Sequence, residues 1–418
     1  MNLYEFEGKQ LFEKHGITIP HGIVVRRGGE IGYVFAMLGV SDVVVKAQVL
    51  SGKRGKNNAI RFCNSVEGVV HVQHVVDELF SMDVRGQYVA SVRIEEKLDI
   101  AEEQYLSITY DTNAKQPVLV YSREGGVDIE DVEEGKIWKI PLDIRDTEIN
   151  LDTFADFRLQ TTDFRQIEDV IKNLWNVFLE EDCRLVEINP LVKTKRGEWV
   201  AADAKVAIDD DAFFRHSFGY KDRLREKGKD PEAMTNWEDF ELRTMLGRPP
   251  TEREIAVAEI DKGEKYYQGT AGKYIEMDGD IATLFIGGGA SIANMDALKR
   301  AGLEPANYTE YSGNPPREKV YELTKIVVSK PGLRGLWIAG AVSNFTNVKE
   351  TFMGTADALA EVMPKYPIVV RRDGPFGKEG REYFMNFAKE KGLNVTWLGK
   401  DVSMSESVKV LVSKIGNQ

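Results

Sequence analysis

From residue 281 onward the sequence alternates between short apolar runs and amphipathic stretches, a regularity that few architectures allow. The runs IATLFIGGG (281–289), LRGLWIAGAV (333–342), PIVVRR (367–372) and NVTWLG (394–399) read as strands. Between them, 291–302, 317–329, 347–363 and 381–392 carry apolar residues at helical spacing. Strand and helix in alternation predict a parallel, doubly wound sheet. In such a sheet ligands collect beyond the carboxyl ends of the strands. Four of those ends hold small or polar residues: GGGAS (287–291), EYSG (310–313), SNFTN (343–347) and RRDGP (371–375).

The first half has a different grain. DVVVKAQV (42–49), QYVASVRIEE (87–96), EQYLSITYD (103–111), PVLVYS (117–122), RLVEINPLV (184–192) and WVAADAKVAI (199–208) read as strands. Helices are fewer, chiefly 4–15, stopped by Gly16, and 166–181. Long antiparallel-looking strands with few helices predict an α+β unit. A chain of 418 residues exceeds one ordinary core. The expected division is 1–235, a charged and proline-bearing connection at 236–273, and 274–418.

A net charge of −12 argues against a nucleic-acid or anionic-membrane surface. No apolar stretch approaches the roughly 20 residues that span a bilayer. The amino-terminal stretch resembles neither a signal nor a transit peptide, so a cytoplasmic protein is expected. Cys63 and Cys183 are too few and too far apart for a disulfide scaffold or zinc site, and are read as packing residues.

In an acidic chain a local basic cluster is informative. Lys46 lies in a strand, and Lys53, Arg54, Gly55 and Lys56 follow in SGKRGK. Glycine lets backbone amides approach a phosphate, and the cations neutralise it. The blander alternative is a solvated turn. Downstream, Asn189 in EINPL and Asp203 in ADAK offer side-chain oxygens of the kind that hard Mg²⁺ takes together with nucleotide phosphates. Glu95 and Glu103 flank a segment suited to a ribose and adenine edge, or are plain surface charge.

At the carboxyl-end loops, Asn344 and Thr346 can donate hydrogen bonds, and the helix near Val348 should present free amides. Arg372 adds a bidentate donor for a carboxylate. A helix cap alone needs one polar residue. This set suits a tricarboxylate bearing a hydroxyl.

The stretches MNLYEFEGKQLFEKHGI, VVVKAQVLSGKRGK, EGGVDIEDV and VEINPLVKTKRGEW resemble the β-type subunits of succinyl-CoA synthetase and ATP-citrate lyase. The resemblance implies an α+β ATP-grasp domain followed by an α/β doubly wound, flavodoxin-like domain of CoA-ligase type. It implies ATP contacts at Lys46, Lys53, Arg54, Gly55, Glu95, Leu98 and Glu103, and Mg²⁺ on Asn189 and Asp203. Succinyl-CoA synthetase β subunits carry an FGGI-type turn where this chain has SNFTNV. The four carboxyl-end loops are instead similar to the citrate-binding part of ATP-citrate lyase, implying citrate contacts at Ser312, Gly313, Asn344, Thr346 and Arg372.

Family members pass a phosphoryl group from ATP to a histidine and then to the acid. His15, His21, His71, His74 and His216 are this chain's histidines, and none has glycine-rich surroundings. His71 and His74 are read as sharing an apolar helical face. The phosphohistidine and most of the CoA site are therefore expected on an α-type partner. Gly288, Gly289 and Ser291 would open a helix that faces it, unless they form only a tight turn. A citrate-synthase-like cleaving module is likewise expected on a partner, since the sequence ends at Gln418. The implied activity is citrate activation to citryl-CoA, within an ATP-citrate lyase or a citryl-CoA synthetase. The alternatives are a succinyl-CoA synthetase β subunit and a non-catalytic nucleotide- or citrate-sensing subunit.

Overall fold

The computed structural model describes residues 1–149, 161–217, 235–241, 243–244, 248–262 and 268–416. The chain divides into two compact units, Met1–Pro249 and Pro250–Gln418.

The first unit opens on α1 (Glu5–Lys14), with acids in its first turn and Lys14 in its last, matching the helix dipole. Next come β1 (Gly22–Arg26), α2 (Val34–Leu38), β2 (Asp42–Gln48), β3 (Ile60–Asn64) and α3 (Gly68–Ser81). A short hairpin of β4 (Asp83–Val84) and β5 (Gln87–Tyr88) precedes β6 (Ser91–Glu96). β1, β6, β2 and β3 pair in that order, all antiparallel. Val72, Val75, Val76, Leu79 and Phe80 of α3 cover this sheet's inner face.

The second sheet is built from β7 (Ile100–Asp111), β8 (Gln116–Ser122) and β9 (Ile137–Pro141). β10 (Cys183–Thr194), β11 (Trp199–Ala201) and β12 (Lys205–Ile208) complete it, with α4 (Thr161–Glu180) on one face. Alternation along the strands decides which side chains meet α4. Leu106, Ile108, Val186 and Ile188 pack into one cluster with Ile171, Leu174, Trp175 and Phe178 of α4. Glu103, Tyr105 and Glu187 therefore fall on the opposite face.

Sequence 199–208, expected as one strand, is broken. β11 and β12 both pair with β10, and residues 202–204 drop out of the ladder. With Leu191 opposite Ala201 and Glu187 opposite Lys205, the register places Asn189 across from Asp203 in that gap.

The second unit begins with α5 (Glu252–Ile260), started by a capping box of Thr251 and Glu254. It continues β13 (Thr270–Glu276), β14 (Ile281–Ile286), α6 (Gly288–Arg300), β15 (Asn307–Ser312), α7 (Arg317–Val328) and β16 (Gly335–Val342). Then come α8 (Val348–Val362), β17 (Ile368–Asp373), α9 (Gly377–Lys391), β18 (Val395–Leu398) and α10 (Met404–Ile415). The order is β13-β15-β14-β16-β17-β18, with only β13 antiparallel. The five parallel strands thus run 2-1-3-4-5, the flavodoxin-like doubly wound order. β14 is buried along its whole length, as a strand covered on both faces must be. Within 236–273, read from sequence as a connection, α5 and β13 belong to this second unit; residues 221–234 lie outside the described residues. No helix among the described residues is long and apolar enough to cross a membrane.

Candidate functional site

In the first unit Lys46, Arg54, Glu95 and Asp203 come together, joined by two residues of α1 that sequence reasoning missed. Lys46 Nζ lies 2.6 Å from Glu95 and 3.1 Å from Glu5. Lys9, fully buried, lies 2.8 Å from Glu5 and 2.6 Å from Glu95. Arg54 pairs with Glu5 and places Nη2 2.6 Å from both oxygens of Asp203. Arg93 adds a bond of 2.7 Å to Glu95. Burial alone would raise the Glu5 carboxyl, but Arg54, Lys46 and Lys9 reverse that and hold it well below its ordinary range. Burial likewise opposes charge on Lys46, yet Glu5, Glu95 and Asp203 raise its pKa. Four cations (Lys9, Lys46, Arg54, Arg93) face three carboxylates (Glu5, Glu95, Asp203), so the cluster keeps positive charge for an anion. The signal for α1 was its pattern of Glu5 and Lys9 four residues apart on a buried face.

The glycine-basic loop lies between β2 and β3. Lys53 holds a left-handed φ of 64° and its Nζ is 2.9 Å from Asp128; Lys56 reaches the same carboxylate at 2.7 Å. Hydrogen bonds from Lys56 and Lys53 lower the Asp128 pKa. A Cβ on Gly55 would meet nothing within 4 Å, so this glycine leaves open space at the loop. Asp128 belongs to the loop after β8, which is pinned over β7. A Cβ on Gly126 would strike Glu103 Oε2 at 2.5 Å, and the Gly126 amide donates to Asn189 Oδ1 at 2.8 Å.

Glu187 is the third oxygen donor on this face, two residues from Asn189 in β10. Burial raises its pKa, and it accepts a hydrogen bond from Tyr105 at 3.0 Å. Glu187, Asn189 and Asp203 form an all-oxygen set that fits a hard divalent cation carrying phosphates. Two expected nucleotide residues stand apart. Glu95 is 2% exposed and spent on Lys9, Lys46 and Arg93, so it orients those cations and presents no free edge to a ribose. Leu98, in the link from β6 to β7, borders a cleft of about 870 Å³ with Thr18, His21 and Trp199, and no other candidate nucleotide residue lines it.

In the second unit the carboxyl-end loops converge. Thr346 Oγ1 donates to the Gly313 carbonyl, and the Asn347 amide donates to Asn314 Oδ1 at 2.8 Å. On the other side the Ser343 amide meets the Asp373 carbonyl at 3.1 Å, and the Val348 amide the Pro375 carbonyl at 3.0 Å. A Cβ on Gly374 would come within 2.9 Å of the Ser343 Cβ. The loop 343–347 is thus wedged between 313–314 and 373–375. Ser312 Oγ sits 2.9 Å from Thr270 Oγ1. Asn344 is exposed, and its side chain has no hydrogen-bond partner among the described residues.

Three expectations here change. Asn347 caps α8, accepting from the Glu350 amide at 3.1 Å, and Pro375 takes the Val348 amide, so these amides are not open. Arg372 is not an open carboxylate clamp. It is 2% exposed and bonds the Ala341 carbonyl and the Ser343 hydroxyl, so it braces the loop from below. Its buried Nε has no hydrogen-bond partner among the described residues, and burial lowers its pKa. The start of α6 already faces a carboxylate. Ser291 donates to Glu310 at 2.6 Å, Lys273 sits on Glu310 at 2.9 Å, and a Cβ on Gly288 would lie 3.4 Å from both Glu310 oxygens. The space around Gly289 is open.

His71 and His74 do lie on one helix, α3, but face solvent, with side chains 43% and 71% exposed, because the valines and Phe80 take the inner stripe. His216 stacks on Trp237 at 3.9 Å and bonds Asp182 at 2.8 Å, a structural role.

A buried charge cluster on antiparallel sheets in one unit, and a flavodoxin-like second unit presenting polar loops, make an ATP-grasp chain of the CoA-ligase class. Residues 2–193 match the ATP-grasp domain family, and residues 248–414 the ATP citrate lyase citrate-binding family. The chain is 31% identical to a succinate–CoA ligase [ADP-forming] subunit beta of Methanocaldococcus jannaschii, over 99% of this chain and 100% of the relative. It is 32% identical to the like-named subunit of Geobacter sulfurreducens, over 100% of each. The chain therefore belongs to the succinyl-CoA synthetase β-subunit superfamily. ATP citrate lyase from Methanothrix soehngenii, solved with citrate and coenzyme A, shares the fold: TM-score 0.74, 24% identity, 99% of each chain covered.

Proposed function

We propose that this chain is the ATP- and citrate-binding subunit of a citrate-activating enzyme, converting citrate and CoA to citryl-CoA at the expense of Mg-ATP. Lys46, Lys53, Arg54 and Gly55 hold the phosphates, backed by Glu5, Lys9 and Glu95. Asn189 and Asp203, with Glu187 beside them, hold Mg²⁺, whose charge offsets that of the phosphates. Glu103 borders the nucleoside. Ser312, Gly313, Asn344 and Thr346 bind citrate, and Arg372 keeps their loop in place. The phosphohistidine and the CoA site belong to an α-type partner, as does any lyase module. The protein works in the cytoplasm.

The observation that carries this reading is the wedge of 343–347 between 313–314 and 373–375, which leaves the Asn344 side chain exposed, with no hydrogen-bond partner among the described residues. The match of 248–414 to a citrate-binding family supports the same acid. The second reading, succinate as substrate, is favoured by the names of the full-length relatives. Co-purifying the native complex and measuring CoA-dependent ADP formation decides between them. Turnover with citrate, with citryl-CoA or its cleavage products identified, is expected. Turnover with succinate alone defeats the proposal.

A further inference from the structure

Both cysteines are free and buried, but their surroundings differ. Cys183 Sγ is turned to the carbonyls of Val177 and Glu181. Cys63, next to last in β3, is followed by a turn fixed by its own hydrogen bonds. Asn64 Oδ1 accepts the amides of Val66 at 3.0 Å and Glu67 at 3.1 Å, and Glu67 Oε2 accepts the Asn64 amide at 3.0 Å. The turn delivers Glu67 to the start of α3, and His71 follows one helical turn on. As a result Cys63 Sγ, a Glu67 carboxylate oxygen and a His71 ring nitrogen lie within 4.8 Å of one another.

We propose that Cys63, Glu67 and His71 bind a divalent transition ion of zinc type, with water in the fourth position. One sulfur, one imidazole nitrogen and one carboxylate oxygen make a mixed donor set suited to Zn²⁺, whereas hard Mg²⁺ prefers oxygens alone. Bonds of about 2.0–2.3 Å in a tetrahedron separate ligand atoms by roughly 3.3–3.8 Å. His71 Nε2 and Glu67 Oε2 stand 4.0 Å apart, a few tenths of an ångström beyond that spacing. The thiol is 3% exposed while Glu67 and His71 are 41% and 43% exposed, which gives a buried sulfur at the base and an entry path through the two outer ligands. Binding converts the Cys63 thiol to thiolate and releases one proton to solvent. The ion would tie the strand leaving the Lys53 loop to α3. None of the candidate nucleotide, magnesium or citrate residues takes part.

The test uses the full chain, freed of metal by a chelator and titrated with Co²⁺ and then Zn²⁺. One equivalent of Co²⁺ is expected to give a thiolate charge-transfer band that Zn²⁺ abolishes. His71→Ala, at an exposed side chain, should weaken binding at least about tenfold. His74→Ala, which removes the neighbouring pair with Glu78 at 3.1 Å, should leave it unchanged. Cys63→Ser should remove the band and Cys183→Ser should keep it. No cobalt–thiolate band in the wild type, or equal binding by wild type and His71→Ala, overturns the proposal. The His71 variant decides even if Cys63→Ser fails to fold.

Discussion

Arg54 and Asp203, 149 residues apart in sequence, form a pair in which one guanidinium nitrogen sits 2.6 Å from both carboxylate oxygens. The pair joins the glycine-basic loop after β2 to the gap between β11 and β12, where Asn189 faces Asp203. Each partner is thereby held by the other. Under the proposed function Arg54 would turn to a phosphate of Mg-ATP and Asp203 to the metal. Glu5 holds the other arm of Arg54.

Asp203→Asn removes the anionic ligand while leaving Arg54 anchored by Glu5. The expected result is a fall of about 100-fold in kcat/KM for Mg-ATP with an unchanged circular dichroism spectrum. Unaltered nucleotide kinetics would remove Asp203 from the metal site.

Asp128 pairs with Lys53 and Lys56, so under the proposed function it would compete with phosphate for both. Asp128→Asn is therefore expected to lower the KM for ATP by roughly 2–5-fold, an effect that shrinks as salt rises because the three groups meet water. Titration at low and high ionic strength checks both parts.

Asn344 and Arg372 should separate in their effects. Asn344→Ala deletes an exposed amide that makes no internal hydrogen bond, so the KM for citrate should rise about tenfold at unchanged stability. Arg372→Ala strips buried partners from the Ala341 carbonyl and Ser343. It should cost about 1–3 kcal/mol in urea unfolding as well as raising the citrate KM. Neither should move the KM for ATP, and equal effects on both substrates would count against the citrate assignment.

Glu181 reports on the first unit's acid stability. Burial raises its pKa, but hydrogen bonds from His15 and Thr235 and the charge of Lys14 bring it from an ordinary 4.5 to about 2. A lowered folded-state value stabilises the fold above the unfolded value and loses that contribution as pH falls toward 2. Glu181→Gln is expected to lower the unfolding free energy by about 3 kcal/mol at pH 7, with the gap closing near pH 2. Denaturant titrations across that pH range make the comparison.

The sequence by itself determined the two-part architecture. The alternation after residue 281 dictated parallel strands, and the branched, alternating segments before residue 208 dictated antiparallel ones. Periodicity is a local property, written in neighbouring residues. The glycine-basic loop, Asn189, Asp203 and the polar stretch 343–347 were legible for the same reason, since turn chemistry is carried by a few adjacent side chains. Only the tertiary structure decided what each group does. Packing drew Glu5 and Lys9 into the cation cluster, sank Arg372 beneath its loop, aimed Glu310 at the start of α6 and brought Cys63 beside Glu67 and His71. Burial and pairing depend on which distant segments come to lie against one another, and no short stretch of chain records that.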